Sequence, residues 1–143
     1  MSLQVTIVEP LNLERSAMKS NSVEVIVPAS KEDAWALVGD FGGLDKWTPG
    51  VESCRVEGDL RYLSIMGSEV VERLISVNDA DMEITYSIVS GIPMDSHEAT
   101  VSVSDGESGT VVKWAFTADP DDAADFLTTI YGSALEALKK KLS

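Results

Sequence analysis

The sequence predicts an α+β fold: a curved seven-stranded antiparallel sheet wrapped around one long C-terminal helix, with two short helices after the first strand. Three observations carry this. Six strand-like segments follow one another from Gly50 to Ala118, divided by short turns. One alternating segment and a short helical pattern precede them. An amphipathic stretch with helical spacing closes the chain.

Residues 1–20 read as a preamble. Its "QVTIVEP" alternates weakly and is compatible with an added strand or with disorder, and Met18 is compatible with an internal start. The domain proper is expected over 21–143. In "NSVEVIVPAS", Val23, Val25 and Val27 share one face of a strand that Pro28 ends. Ser30 has the chemistry of a helix N-cap, with Asp33 three residues on. Ala34, Trp35, Leu37 and Val38 form the apolar stripe of that helix, and Gly39 stops it. "DFGGLDKW" then has room for one short helix before Pro49.

The strands follow in order. "GVESCRVEG", "LRYLSIM", "EVVERLISV", "MEITYSIVS", "SHEATVSVS" and "TVVKWAFTA" are separated by turns rich in Gly, Asn and Asp, the order of a meander. In the last element Asp119 is expected as N-cap, with Pro120 at the first helical position. Phe126, Ile130, Ala134 and Leu138 recur at helical spacing, and Leu127, Tyr131 and Leu135 widen the stripe. Lys139, Lys140 and Lys141 suit the negative C-terminal end.

Charge excludes some functions. With 24 acidic against 11 basic side chains, the net charge is −13. A phosphate backbone or an anionic membrane surface would be repelled, so no nucleic-acid partner is expected. No apolar run reaches a membrane span, so no membrane insertion is expected, and the N-terminus lacks the pattern of a signal peptide. A single cysteine, Cys54, fits a reducing, cytoplasmic setting and is read as a small buried hydrophobe. One histidine and one cysteine give no zinc set, and no glycine-rich phosphate loop joins a strand to a helix, so neither metal nor cofactor is expected. "DFG" matches the kinase metal triplet by letters alone. Nothing in the chain signals an oligomeric state.

"DFGGLDKWTPGVESCRVEG", Arg61, "ERLISVNDA", "TYSIVSG" and "GTVVKWAF", in this order and spacing, resemble the polyketide cyclase/dehydrase-like proteins. That group belongs to the START-like helix-grip superfamily, with the lipid-transfer START domains, the birch-pollen allergen and the abscisic acid receptors. The resemblance spans about residues 21–141. It implies a cavity for a hydrophobic small molecule, lipid transport among its uses, and in some members a cyclase, aromatase or dehydratase activity.

Strand alternation sorts the side chains that would meet such a cavity. Met82, Ile84, Tyr86 and Ile88 share an inner face, as do His97, Ala99, Val101 and Val103, and Val112, Trp114 and Phe116. Alternation also puts Glu52 on the inner face with Cys54. "EVVERLISV" gives no clean assignment from periodicity. The resemblance to the receptors implies that Glu72 faces the cavity and that Glu52 replaces a ligand-binding lysine. Phe41 and Trp47 read equally well as plugs of the cavity mouth or as ordinary core. Met94, in "SGIPMDS", is expected at the mouth. Trp35, Phe126 and Ile130 complete the expected wall. The leading function is binding of a hydrophobic or aromatic small molecule. The alternatives are an acid/base enzyme using Glu52, Glu72 or His97 with Tyr86 orienting, and an interaction module whose cavity has collapsed. The bland reading pairs the carboxylates with Arg61 or Arg73 and makes His97 a hydrogen-bonded wall.

Overall fold

A computed structural model describes residues 19–143, so the preamble, apart from Lys19 and Ser20, lies outside the described residues, and with it the whole of the expected strand in "QVTIVEP". The chain runs β1 (Lys19–Val27), α1 (Lys31–Val38), a 3-10 segment (Phe41–Lys46), then β2 (Val51–Glu57), β3 (Leu60–Ile65), β4 (Ser68–Asn78), β5 (Glu83–Ser90), β6 (Ser96–Asp105), β7 (Thr110–Asp119) and α2 (Asp121–Lys141). The strands form one antiparallel, curved sheet in the order β1-β7-β6-β5-β4-β3-β2. Hairpins join β2 through β7, while β1 crosses to pair with β7 along its whole length, Val23 facing Trp114.

Local chemistry sets the ends. The Ser30 hydroxyl accepts from the Asp33 N–H at 3.1 Å and caps α1. At α2 the cap differs from expectation. Asp119 is held by the sheet, where it pairs with Ser96 and its carbonyl accepts from Asp95 N–H at 2.7 Å. Pro120 therefore takes the cap position, and Asp121 and Asp122 occupy the first turn, where carboxylates favour the positive helix end. Met82 is not in β5 either; it sits at φ 56° in the turn before it.

Three register shifts interrupt the β2–β5 part of the sheet, away from the strands that hold the helix. Val51 pairs Ile65 and Ser53 pairs Ser64, so Glu52 is the extra residue of a bulge. Val71 pairs Ser90 and Glu72 pairs Ile88, which leaves Val89 extra. Leu74 pairs Tyr86 and Ser76 pairs Thr85, which leaves Ile75 extra. The two apolar bulge residues are exposed.

α2 packs chiefly on β1 and β7. Asn21 Nδ2 of β1 donates to Thr128 Oγ1 of α2 at 2.7 Å and fixes that contact. Leu127, Leu135 and Leu138 are fully buried on the inner side of the helix. α1 packs on β6, and the 3-10 segment lies over β2. The helix is thus anchored at one side of the sheet and stands off from β2–β5.

Gly91 closes β5 at φ 103°, and a Cβ there would stand 2.4 Å from the Glu69 carbonyl oxygen and 2.7 Å from Val70 Cα. Both the backbone conformation and the space require glycine. Gly91→Ala is expected to cost about 2 kcal/mol in chemical denaturation, because backbone must move. A change within experimental error would show that the β4–β5 edge is loose.

Candidate functional site

The space between α2 and β2–β5 is a cavity of about 230 Å³. β3, β4 and β5 supply Leu63, Ile65, Val70, Glu72, Tyr86 and Ile88. β7 supplies Trp114. α2 supplies Phe126, Leu127, Ile130, Tyr131 and Ala134, one helical face over three turns. Leu44, Thr48, Pro49 and Val51 close one side. Tyr86, Tyr131 and Trp114 are buried and form the floor, whereas Met66 and Phe126 are 73 % and 53 % exposed and mark the mouth.

Two polar groups of different kind sit at this floor. The first is the Arg61–Glu72 pair. Arg61 Nε donates to Glu72 Oε1 at 2.7 Å, its Nη2 lies 2.6 Å from the same oxygen, and both side chains are buried. Arg61 Nη1 also donates to the Phe41 carbonyl at 3.0 Å. The guanidinium lies over the rings of Phe41 and Tyr86, 4.4 and 4.8 Å from their centroids. Burial pushes the Glu72 carboxyl above its ordinary pKa, and the Arg61 charge opposes that rise.

The second is a hydrogen-bonded relay. Trp114 Nε1 donates to Tyr86 Oη at 3.2 Å, Tyr86 Oη bonds Tyr131 Oη at 2.9 Å, and His97 Nε2 lies 2.9 Å from Tyr131 Oη. The backbone N–H of Ile88 donates to His97 Nδ1 at 3.0 Å. That donor leaves Nδ1 without a proton, so neutral His97 carries its hydrogen on Nε2 and donates it to Tyr131. Burial lowers the His97 pKa from 6.5 to about 4 and raises those of both tyrosines. Tyr131 stacks on Trp114 at 4.0 Å between centroids and meets Phe116 edge-on.

The expected site residues do not all reach the cavity. Glu72, Tyr86, Trp114, Phe126 and Ile130 line the cavity. His97 and Ala99 are buried inward as alternation required, yet one layer behind the wall. Glu52 is a correction. It is exposed, and its carboxylate accepts from Ser64 Oγ at 3.0 Å and from Gly67 N–H. The bulge at this residue breaks the alternation that had placed it inside, so Val51 lines the cavity instead. Trp47 packs against Trp114 at 6.0 Å as core, and Phe41 supports Arg61; neither ring meets the cavity. Leu44, Thr48 and Pro49 of the same segment do. Trp35 packs against the core, donates to Asp79 at 3.0 Å and does not line the cavity. Met94 packs on the core while Gly91 and Ile92 reach the mouth. Tyr131, legible as part of a helical stripe, was not distinguished there from its aliphatic neighbours.

Among the described residues no His, Cys, Asp and Glu side chains gather as a metal set, and no helix is long and apolar enough to cross a membrane. Cys54 is half-buried, with Sγ 3.7 Å from the Phe41 carbonyl, and burial raises its pKa.

A bent antiparallel sheet holding one helix over an internal cavity defines a helix-grip domain of the kind built to bind ligands. The chain belongs to the polyketide cyclase / dehydrase and lipid transport family, whose model matches residues 18–143. Among solved structures it is similar to XoxI from Bacillus cereus, at 29 % identity and TM-score 0.79 over 88 % of this chain and 95 % of that one. A protein from Bacillus thuringiensis is similar at 31 % identity and TM-score 0.79, covering 88 % and 98 % of the two chains. The fold extends to Ara h 8.0201, at 15 % identity and TM-score 0.72 over 87 % and 97 %. No curated protein matches the sequence.

Proposed function

We propose that this protein binds a compact hydrophobic or aromatic molecule in the cavity between the sheet and α2. The observation that carries this reading is the 230 Å³ hollow, walled mainly by aliphatic and aromatic side chains and open between Met66 and Phe126. An engineered apolar cavity of about 150 Å³ takes up benzene, so this one has room for one or two rings. The hollow also speaks against a collapsed interaction module.

A cyclase or dehydratase reading has one observation in its favour, the Glu72 carboxylate on the cavity wall. Two others favour binding. Glu72 is tied to Arg61, and both ring nitrogens of His97 are engaged in bonds that require it neutral and away from the cavity. A base near pKa 4 is also a weak proton acceptor at neutral pH.

A thermal-shift screen of uncharged aromatic compounds tests the reading, since a ligand of the native state raises the melting temperature. Ala134→Leu puts three more carbons into the cavity from the middle of α2. Hits are expected to lose at least about tenfold in affinity in this variant, while the ligand-free protein keeps or gains stability by filling space. Hits that bind Ala134→Leu as tightly as the wild type would place the ligand elsewhere.

A further inference from the structure

The relay at the cavity floor contains one more hydrogen than it has contacts to receive. Trp114 Nε1, Tyr86 Oη, Tyr131 Oη and His97 Nε2 each bring one hydrogen, four in all. The contacts among them are three: Trp114–Tyr86, Tyr86–Tyr131 and Tyr131–His97. The histidine cannot absorb the fourth, because the Ile88 N–H fills its remaining nitrogen, and a backbone donor cannot be reversed. With Tyr86 donating to Tyr131, the Tyr131 oxygen accepts twice and its own hydrogen has no acceptor among the described residues. Reversing the central bond moves the leftover hydrogen to Tyr86. In either arrangement it belongs to a hydroxyl of a residue that lines the cavity.

We propose that the Tyr86–Tyr131 hydroxyl pair is a donor subsite that fixes an uncharged oxygen acceptor, such as a carbonyl, at the buried end of the ligand. The inference rests on the cavity-binding reading and deepens it. Donation along Trp114, Tyr86 and Tyr131 polarises each next hydroxyl, which strengthens the last donor. Stacking on Trp114 and the edge of Phe116 hold Tyr131 in place, so little ordering is needed on binding. The acceptor must also be neutral. Arg61, the buried cation beside Tyr86, is already engaged by Glu72, and the Glu72 carboxylate faces the same cavity. An anionic ligand would meet that carboxylate with only a hydroxyl to hold it.

Three matched probes test this: acetophenone, 2-phenylpropene, in which a methylene replaces the oxygen, and benzoate. In wild-type protein the infrared carbonyl band of bound acetophenone is expected at lower wavenumber than in a hydrocarbon solvent. Benzoate is expected to bind at least about tenfold more weakly than acetophenone. In the double variant Tyr86→Phe/Tyr131→Phe, acetophenone should lose about tenfold while 2-phenylpropene changes by less than about twofold. The double variant is used because either hydroxyl can carry the leftover hydrogen. An unshifted carbonyl band, equal losses for ketone and hydrocarbon, or benzoate binding as tight as acetophenone would each overturn the donor subsite while leaving cavity binding intact. If the double variant does not fold, the wild-type band decides alone. If neither neutral probe binds wild-type protein, the cavity-binding reading falls and this inference with it.

Discussion

Arg61→Leu is expected to lower the stability of the protein by about 3–5 kcal/mol, the largest loss from any single substitution considered. Arg61 and Glu72 are 4 % and 5 % exposed, so the carboxylate left behind would have little water and no counter-charge. The Phe41 carbonyl would lose its donor, and the Phe41 and Tyr86 rings would lose the cation between them. For a chain of this length the loss amounts to a fall of roughly 10–15 °C in melting temperature. Two further results separate this cause from simple loss of packing. Removing the carboxylate as well, in Arg61→Leu/Glu72→Leu, should restore much of the stability, because a buried pair is about as costly to desolvate as it is favourable to form. Acid should also partly rescue the single variant. Burial raises the folded-state pKa of Glu72, and losing Arg61 raises it further, so the folded chain takes up this proton before the unfolded one as pH falls. A single variant that melts within about 2 °C of wild type would mean that the pair is solvated in solution.

This pair also shows what sequence could and could not convey. The order of elements was legible because each strand repeats every two residues and the helices every 3.6, and because Pro28, Gly39 and the Gly-Asp turns interrupt them. The inward faces of β5, β6 and β7 were legible for the same reason. β2 and β4 were not, and the cause is in the register. An extra residue at Glu52 reverses the alternation that had put this carboxylate inside. In β4, Val70, Val71 and Glu72 are buried in succession, a pattern with no period of two. Glu72 could be assigned inward only by family resemblance. Arg61 was visible as a possible partner for a carboxylate, but its burial was not, since a single arginine in a strand carries no sign of its depth. The relay was the least legible part. Tyr131 lies 45 residues from Tyr86 and 34 from His97, and only the packing of α2 on the sheet brings the hydroxyls together. Phe41 and Trp47 show the converse. Their size promised a role at the cavity, yet the fold uses them to support Arg61 and Trp114.

Between pH 6.5 and pH 4 the wild-type protein is expected to lose roughly 3 kcal/mol of stability on account of His97 alone. The sign follows from the direction of the shift. Burial lowers the folded-state pKa from 6.5 to about 4, so the unfolded chain takes up the proton first as pH falls. The stabilising contribution is complete above 6.5 and is gone once the pH has passed through 4. Geometry gives the same answer without reference to solvation. A protonated ring would bring an N–H at Nδ1 against the Ile88 N–H at 3.0 Å, two donors facing each other in a buried site. His97→Asn keeps an acceptor near Nδ1 and removes the titration. Its stability at neutral pH should be lower, but its dependence on pH in this window should be flatter by the amount that His97 supplies. The comparison between the two proteins matters because Glu72, with its raised pKa, contributes with the opposite sign in both and cancels in the difference. Nitrogen chemical shifts of the His97 ring give a second reading, since the Nε2–H tautomer should persist in folded protein down to about pH 4. Parallel stability profiles for wild type and His97→Asn, or an imidazolium signal at pH 6, would show that His97 is not the fixed neutral donor to Tyr131. The inventory of hydrogens at the cavity floor would then change, and with it the surplus donor proposed to hold the acceptor.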